Sequence, residues 1–156
     1  MKNRLNICGL RFLDETPNLL LVGTTNGLVR LLDLRTQSEV TRFENIAVNK
    51  FDPQLINCFD RNSNSTLLCM GTTEYQTNVY LLFYDIRSSK KAFKYIESHQ
   101  DDVTSLRFHP KSSDILCSGS TDGLINVFNV SENDEDDALL TTINSESSVN
   151  KLNWYV

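Results

Sequence analysis

The side chains that could do chemistry are few and widely separated. Cys8, Cys58, Cys69 and Cys117 contain no C-x-x-C pair, so neither a zinc motif nor a disulfide framework follows from them. They read as buried free thiols in a reducing compartment. His99 and His109 are too far apart to make a metal site, and His109, next to Pro110, reads as a turn residue. No positioned nucleophile, phosphate loop or metal spacing accompanies them, so the expectation is a protein without catalysis, cofactor or metal. Two short motifs end in Asp-x-Arg, "DLR" at 33–35 and "DIR" at 85–87. By chemistry alone, Arg35 and Arg87 make local ion pairs of little worth at a surface.

Charge narrows the partners further. The net charge is -5 and the pI about 5.0, which argues against the broad basic surface that nucleic acid demands. The one basic and aromatic stretch, Arg87, Lys90, Lys91 and Lys94 with Phe93 and Tyr95, could touch RNA but reads better as a solvated outer strand. The acidic run "SENDEDD" at 131–137 is expected as a solvated surface loop, with a docking site for a basic partner as the sharper alternative. Two sequons, Asn64-Ser65-Thr66 and Asn129-Val130-Ser131, lack a secretory signal and read as chance. The longest apolar clusters are far shorter than the ~18–20 residues of a membrane span. The expected setting is intracellular, cytoplasmic or nuclear, with no membrane partner.

The elements that must position these residues come from a repeat. Three copies of one pattern open at Ile7, Leu55 and Val103, and each places a glycine sixteen residues on: Gly23, Gly71 and Gly119. The glycines are therefore 48 residues apart both times. Short alternating apolar runs at a period in the forties, bounded by Gly, Asn, Asp and Ser turns, predict radially repeated four-stranded blades rather than helical repeats. Asn26-Gly27 and Asp122-Gly123 suit tight two-residue hairpin turns, whereas the second copy inserts "EYQTN" at 74–78 and should protrude there. The blades are expected at 5–44, 54–97 and 102–143, with the first strand of a fourth at 149–156. The fold class is thus all-β: three four-stranded antiparallel blades plus that strand.

The stretch "SHQDDVTSLRFHPKSSDILCSGSTDGLINVFN" at 98–129 resembles the WD repeat of β-propellers. Ser98-His99 stands at the Gly-His position, and the closing Trp-Asp position holds Leu32-Asp33, Tyr84-Asp85 and Phe128-Asn129. From Thr77 to Trp154 the chain follows one member of this family closely, through "LLFYDIR", "SHQDDVTSLRFHP", "SGSTDGLINVFNV" and "NDEDDALLTTINSESSV". That member forms a longer propeller, so the resemblance implies a portion of a closed ring of ~4–8 blades. Taken alone, an open arc should be weakly stable, since repeat stability comes largely from neighbour interfaces.

The resemblance also assigns roles. His99 would meet Asp122 at one end of the blade, with Ser118 or Ser120 as the hydroxyl between them, and the chain would stop at Phe128 because a phenyl ring has no N–H. A histidine held by a carboxylate could also serve as a general base, but the repeat accounts for both residues. In related substrate receptors of cullin-type ubiquitin ligases, an arginine at the positions of Arg35 and Arg87 helps dock the adaptor. The leading expectation is a non-catalytic scaffold for protein partners; the adaptor-docking receptor and, less so, a propeller enzyme are the alternatives.

Overall fold

A computed structural model describes residues 5–13, 16–45 and 55–155. Among them the alternating runs pair into three four-stranded antiparallel sheets, each in simple up-and-down order. The first comprises β1 (Ile7–Leu13), β2 (Thr16–Thr24), β3 (Leu28–Asp33) and β4 (Ser38–Glu44). The second comprises β5 (Ile56–Arg61), β6 (Leu67–Thr72), β7 (Leu81–Asp85) and β8 (Lys91–Tyr95). The third comprises β9 (Val103–Phe108), β10 (Ile115–Ser120), β11 (Leu124–Asn129) and β12 (Leu139–Asn144), with a one-turn helix, α1 (Glu135–Ala138), before β12. The expected strand and blade limits at 54 and 156 lie outside the described residues.

The turns depart from expectation in an instructive way. In the Asn26-Gly27 and Asp122-Gly123 turns only the glycine is left-handed, Gly27 at φ 85° and Gly123 at φ 86°, and each closes a turn of three residues, 25–27 and 121–123. A three-residue hairpin loop needs positive φ only at its last position, so Asn26 and Asp122 keep ordinary backbone and free their side chains. The true two-residue turn is in the second sheet's insertion. There Tyr75 and Asn78 exchange both backbone hydrogen bonds at 3.0 Å, and Gln76 and Thr77 take φ of 50° and 67°. The acidic run is also not all loop: Asp134 caps α1 by accepting from the amides of Asp136 and Asp137, the usual way a short polar side chain satisfies a helix start.

Two seams hold the sheets face to face. Leu21, Val29, Leu31 and Phe43 of the first sheet pack on Phe59, Leu68, Met70, Leu82 and Tyr84 of the second. Leu81, Phe83 and Tyr95 of the second pack with Leu106, Phe108, Leu116 and Phe128 of the third. Each such fully buried side chain contributes roughly 1.5–3 kcal/mol over its exposed state. The outer face of the first sheet forgoes part of this, with Leu10 50% and Phe12 52% exposed.

Residues 149–155 form no strand, yet they sit against the third sheet as β9 sits against the second. A Cβ on Gly71 would meet Val103 Cγ1 at 2.6 Å, and one on Gly119 would meet Val149 Cγ1 at the same 2.6 Å. Leu152 N donates to Ser105 Oγ at 3.0 Å and Trp154 Nε1 to Arg107 O at 3.0 Å. Thr104 Oγ1 donates to Val149 O. The repeat geometry therefore continues into this segment, which pairs with no strand among the described residues.

Candidate functional site

The candidate site forms where the loop before β9 crosses the β10–β11 turn. Asp122 sits in that turn and uses its carboxylate as a local brace, Oδ1 accepting from Leu124 N at 2.8 Å. Its Oδ2 accepts from Gln100 N at 2.9 Å and from His99 Nδ1 at 3.1 Å. On the far side of the imidazole, His99 Nε2 lies 2.7 Å from Ser118 Oγ. An ionised carboxylate only accepts, so Nδ1 carries the hydrogen, Nε2 is the lone-pair nitrogen and Ser118 donates to it.

The order is thus Asp122, His99, Ser118, with the hydroxyl at the end of the chain rather than between the other two. Ser120 points the same way from β10 but is taken by the turn: its Oγ donates to Asp101 O at 2.9 Å and accepts from Asp122 N at 3.1 Å. The chain stops at Ser118, as Phe128 is fully buried with its ring 5.2 Å from that of Tyr95. Packing takes the place of an indole hydrogen bond there.

Burial decides the electrostatics. The His99 side chain is 0% exposed, and burial pushes its pKa below the usual histidine range even though Asp122 pulls the other way. The imidazole is neutral because desolvation disfavours its charged form. A general base must reach a substrate proton, and both ring nitrogens here are engaged inside the protein. Chemically, the arrangement ties a loop, a turn and a strand together.

Two residues with no sequence signal complete the tie. Asn126 Nδ2 donates to Ser98 O at 2.6 Å, and Asn126 Oδ1 accepts from Thr142 Oγ1 at 2.7 Å. Glu135 of α1 accepts from Ile96 N at 2.6 Å and Glu97 N at 3.0 Å, and from Ser98 Oγ. Part of the acidic run is therefore a brace for the loop that carries His99. Nothing in residue type or spacing marks it, since the contact joins positions 37–39 residues apart.

Arg35 and Arg87 lie at the opposite end of the sheets. Asp33 accepts from Arg35 N at 2.9 Å and from its guanidinium Nη2 at 3.0 Å, and the Arg35 side chain is still 68% exposed. Hydrogen bonding from Arg35 lowers the Asp33 pKa. Asp85 instead accepts from the amides of Arg87 and Ser88 at 2.8 and 2.9 Å, with the Ser88 amide the main cause of its lowered pKa. The exposed Arg87 side chain is not drawn onto Asp85 as Arg35 is onto Asp33.

The remaining candidates are structural where described. Burial raises Cys8 and Cys117 to about 11 and pushes Cys58 and Cys69 up as well, so none supplies a thiolate near neutral pH. Among the described residues no group of His, Cys, Asp and Glu could hold a metal, and no helix is long and apolar enough to cross a membrane. In the basic stretch, Phe93 stacks on Phe83 at 4.3 Å and Tyr95 is 0% exposed. Those rings face the core and do not offer bases a stacking platform. His109 packs edge-on to Trp154 at 4.9 Å.

Known proteins share this architecture. The crystal structure of RRP9 WD40 repeats superposes with a TM-score of 0.72 at 17% identity, over 92% of this chain and 40% of that one. An uncharacterized WD repeat-containing protein of Saccharomyces cerevisiae is 34% identical over 81% of this chain and 31% of its own length. The member that residues 77–154 resemble is WD repeat-containing protein 89, and its homolog in Dictyostelium discoideum is 27% identical over 95% of this chain and 49% of its own. The chain thus spans less than half the length of these relatives. Residues 2–156 match the family described as nucleolar protein 10-like, N-terminal domain. With blades, seams and a WD-type turn in place, the chain belongs to that family of WD-repeat β-propeller domains.

Proposed function

We propose that this chain is part of a non-catalytic WD-repeat scaffold that presents rigid loops and blade edges to protein partners. The burial of His99 carries the reading. Among the described residues, the constellation that could have been a histidine–carboxylate base has its imidazole side chain 0% exposed and ties backbone segments together instead. Rigid, well-tied loops on a repeat scaffold lower the ordering cost of binding. Affinity purification of the full-length protein tests it: a reproducible, stoichiometric protein partner is expected, and recovery of none overturns the reading. The family description places its namesake in the nucleolus, and a nuclear, nucleolar location is proposed here too; imaging of the tagged full-length protein would refute this by an exclusively cytoplasmic signal.

Adaptor docking in a cullin-type ligase is the second reading, favoured by the exposed Arg87 beside a carboxylate that engages only its backbone. Charge reversal of Arg35 and Arg87 should abolish adaptor pull-down while the fold survives. Unchanged pull-down removes this reading.

A further inference from the structure

A groove of about 210 Å³ runs between the end of β8 and the outer strands of the third sheet. Leu124, Phe128 and Leu139 give it an apolar lining, and Glu97, Glu135 and Asp136 bring carboxylates to it. It is smaller than the ~300–1,000 Å³ of small-molecule pockets, so it suits a single long side chain. Glu135 is committed to the amides of Ile96 and Glu97 and to Ser98 Oγ, which fixes the wall. Glu97 and Asp136 are exposed, and among the described residues only their backbone amides are used in bonding across the loop and helix cap.

We propose that this groove docks a basic peptide segment of a protein partner, a lysine or arginine laying its aliphatic stem on Leu139 and Leu124 with its charged head between Glu97 and Asp136. This rests on the scaffold reading above. Three observations converge on a cationic occupant. The carboxylates flank an apolar strip, which matches the two-part chemistry of long basic side chains. Leu139 of β12, which lines the groove, is 41% exposed, leaving apolar surface for the stem of the basic residue or for a residue flanking it. The neighbouring Glu132, Asp134 and Asp137 add charge of the same sign, which would steer a basic segment in and repel an acidic one.

The test uses full-length protein and a fluorescein-labelled peptide of alternating arginine and leucine, read by anisotropy, with an alternating glutamate and leucine peptide beside it. Saturable one-to-one binding of the basic peptide is expected, weakening as salt rises. The double variant Glu97→Gln, Asp136→Asn should lose about tenfold in affinity, whereas Asp137→Asn, an exposed carboxylate outside the groove, should change it by less than about twofold. Equal losses in both variants mean that the acidic run attracts the peptide without a site, and overturn the proposal. So does undiminished binding by the double variant, or no binding at all. If the double variant still recovers the protein's partner in stoichiometric amount, the groove is wrong while the scaffold reading stands; if no partner is recovered by either form, the scaffold reading itself has failed.

Discussion

Replacing Asp122 with alanine should detach the β10–β11 turn from the loop before β9. The carboxylate is the acceptor for Leu124 N, Gln100 N and His99 Nδ1. The two backbone amides lie in exposed or half-buried positions, where water replaces the lost partner and each bond costs about 0.5–1.5 kcal/mol. His99 is different, because its side chain is 0% exposed and an unpaired buried N–H costs about 1–3 kcal/mol. Together the loss comes to about 2–6 kcal/mol, a large share of a domain stability of about 5–15 kcal/mol. Native-state hydrogen exchange is the assay, since it reads the turn locally even where blades open separately. Asp122→Ala should collapse protection across the β10–β11 ladder, and Asp122→Asn, which keeps one acceptor oxygen, should cost less. The exposed Asp137→Ala should stay within about 0.5 kcal/mol of the wild type. A loss below about 1 kcal/mol for Asp122→Ala would refute the tie as a structural device.

Phe128→Trp supplies the indole N–H that the repeat ordinarily has at this position, at a site already fully buried against Tyr95. Overpacking at about 1–3 kcal/mol outweighs one hydrogen bond at about 0.5–1.5 kcal/mol, so urea unfolding should show lower stability; a gain would mean that the packing has slack. For pH, the folded-state pKa of His99 is depressed by burial, so below about 6.5 the unfolded chain takes up the proton and the folded one resists it. Stability should fall as pH drops from about 6.5 towards the folded pKa, and His99→Gln should remove that slope; an identical slope in both proteins assigns it elsewhere. Gly71→Ala forces a methyl to within 2.6 Å of Val103 Cγ1 and 2.9 Å of Cys58 Sγ, and should destabilise the seam between the second and third sheets by about 1–3 kcal/mol. A melting temperature equal to that of the wild type would place the seam elsewhere.

The strands and their grouping were legible because alternation and turn residues are local signals. Gly27 and Gly123 are left-handed as their sequence context implies, and Gly23, Gly71 and Gly119 recur because a side chain there would collide with the next innermost segment. The turn length was not legible, because Asn-Gly and Asp-Gly fit loops of two or three residues alike. Spacing in β5 also hides a register shift between Ile56 and Cys58, which puts Asp60 opposite Cys69 and within 2.7 Å of Arg11 Nε. At the site, resemblance indicated His99 and Asp122 but left Ser118 and Ser120 equivalent, since both point to the same face of β10. Which serine meets the imidazole depends on how deep the loop carrying His99 sits, and that is set by Glu135 and Asn126 across long sequence separations. An acidic run reads as a repelling, solvated stretch, so one carboxylate folding back to cap a loop left no local trace.

The decisive experiment is native mass spectrometry of the affinity-purified full-length protein, comparing wild type with His99→Gln under conditions where both remain folded. A protein partner bound in fixed stoichiometry by both proteins is expected, because the buried imidazole holds the blade and touches no ligand. A partner-free wild type, or a bound small molecule that turns over in the wild type and not in His99→Gln, would contradict it.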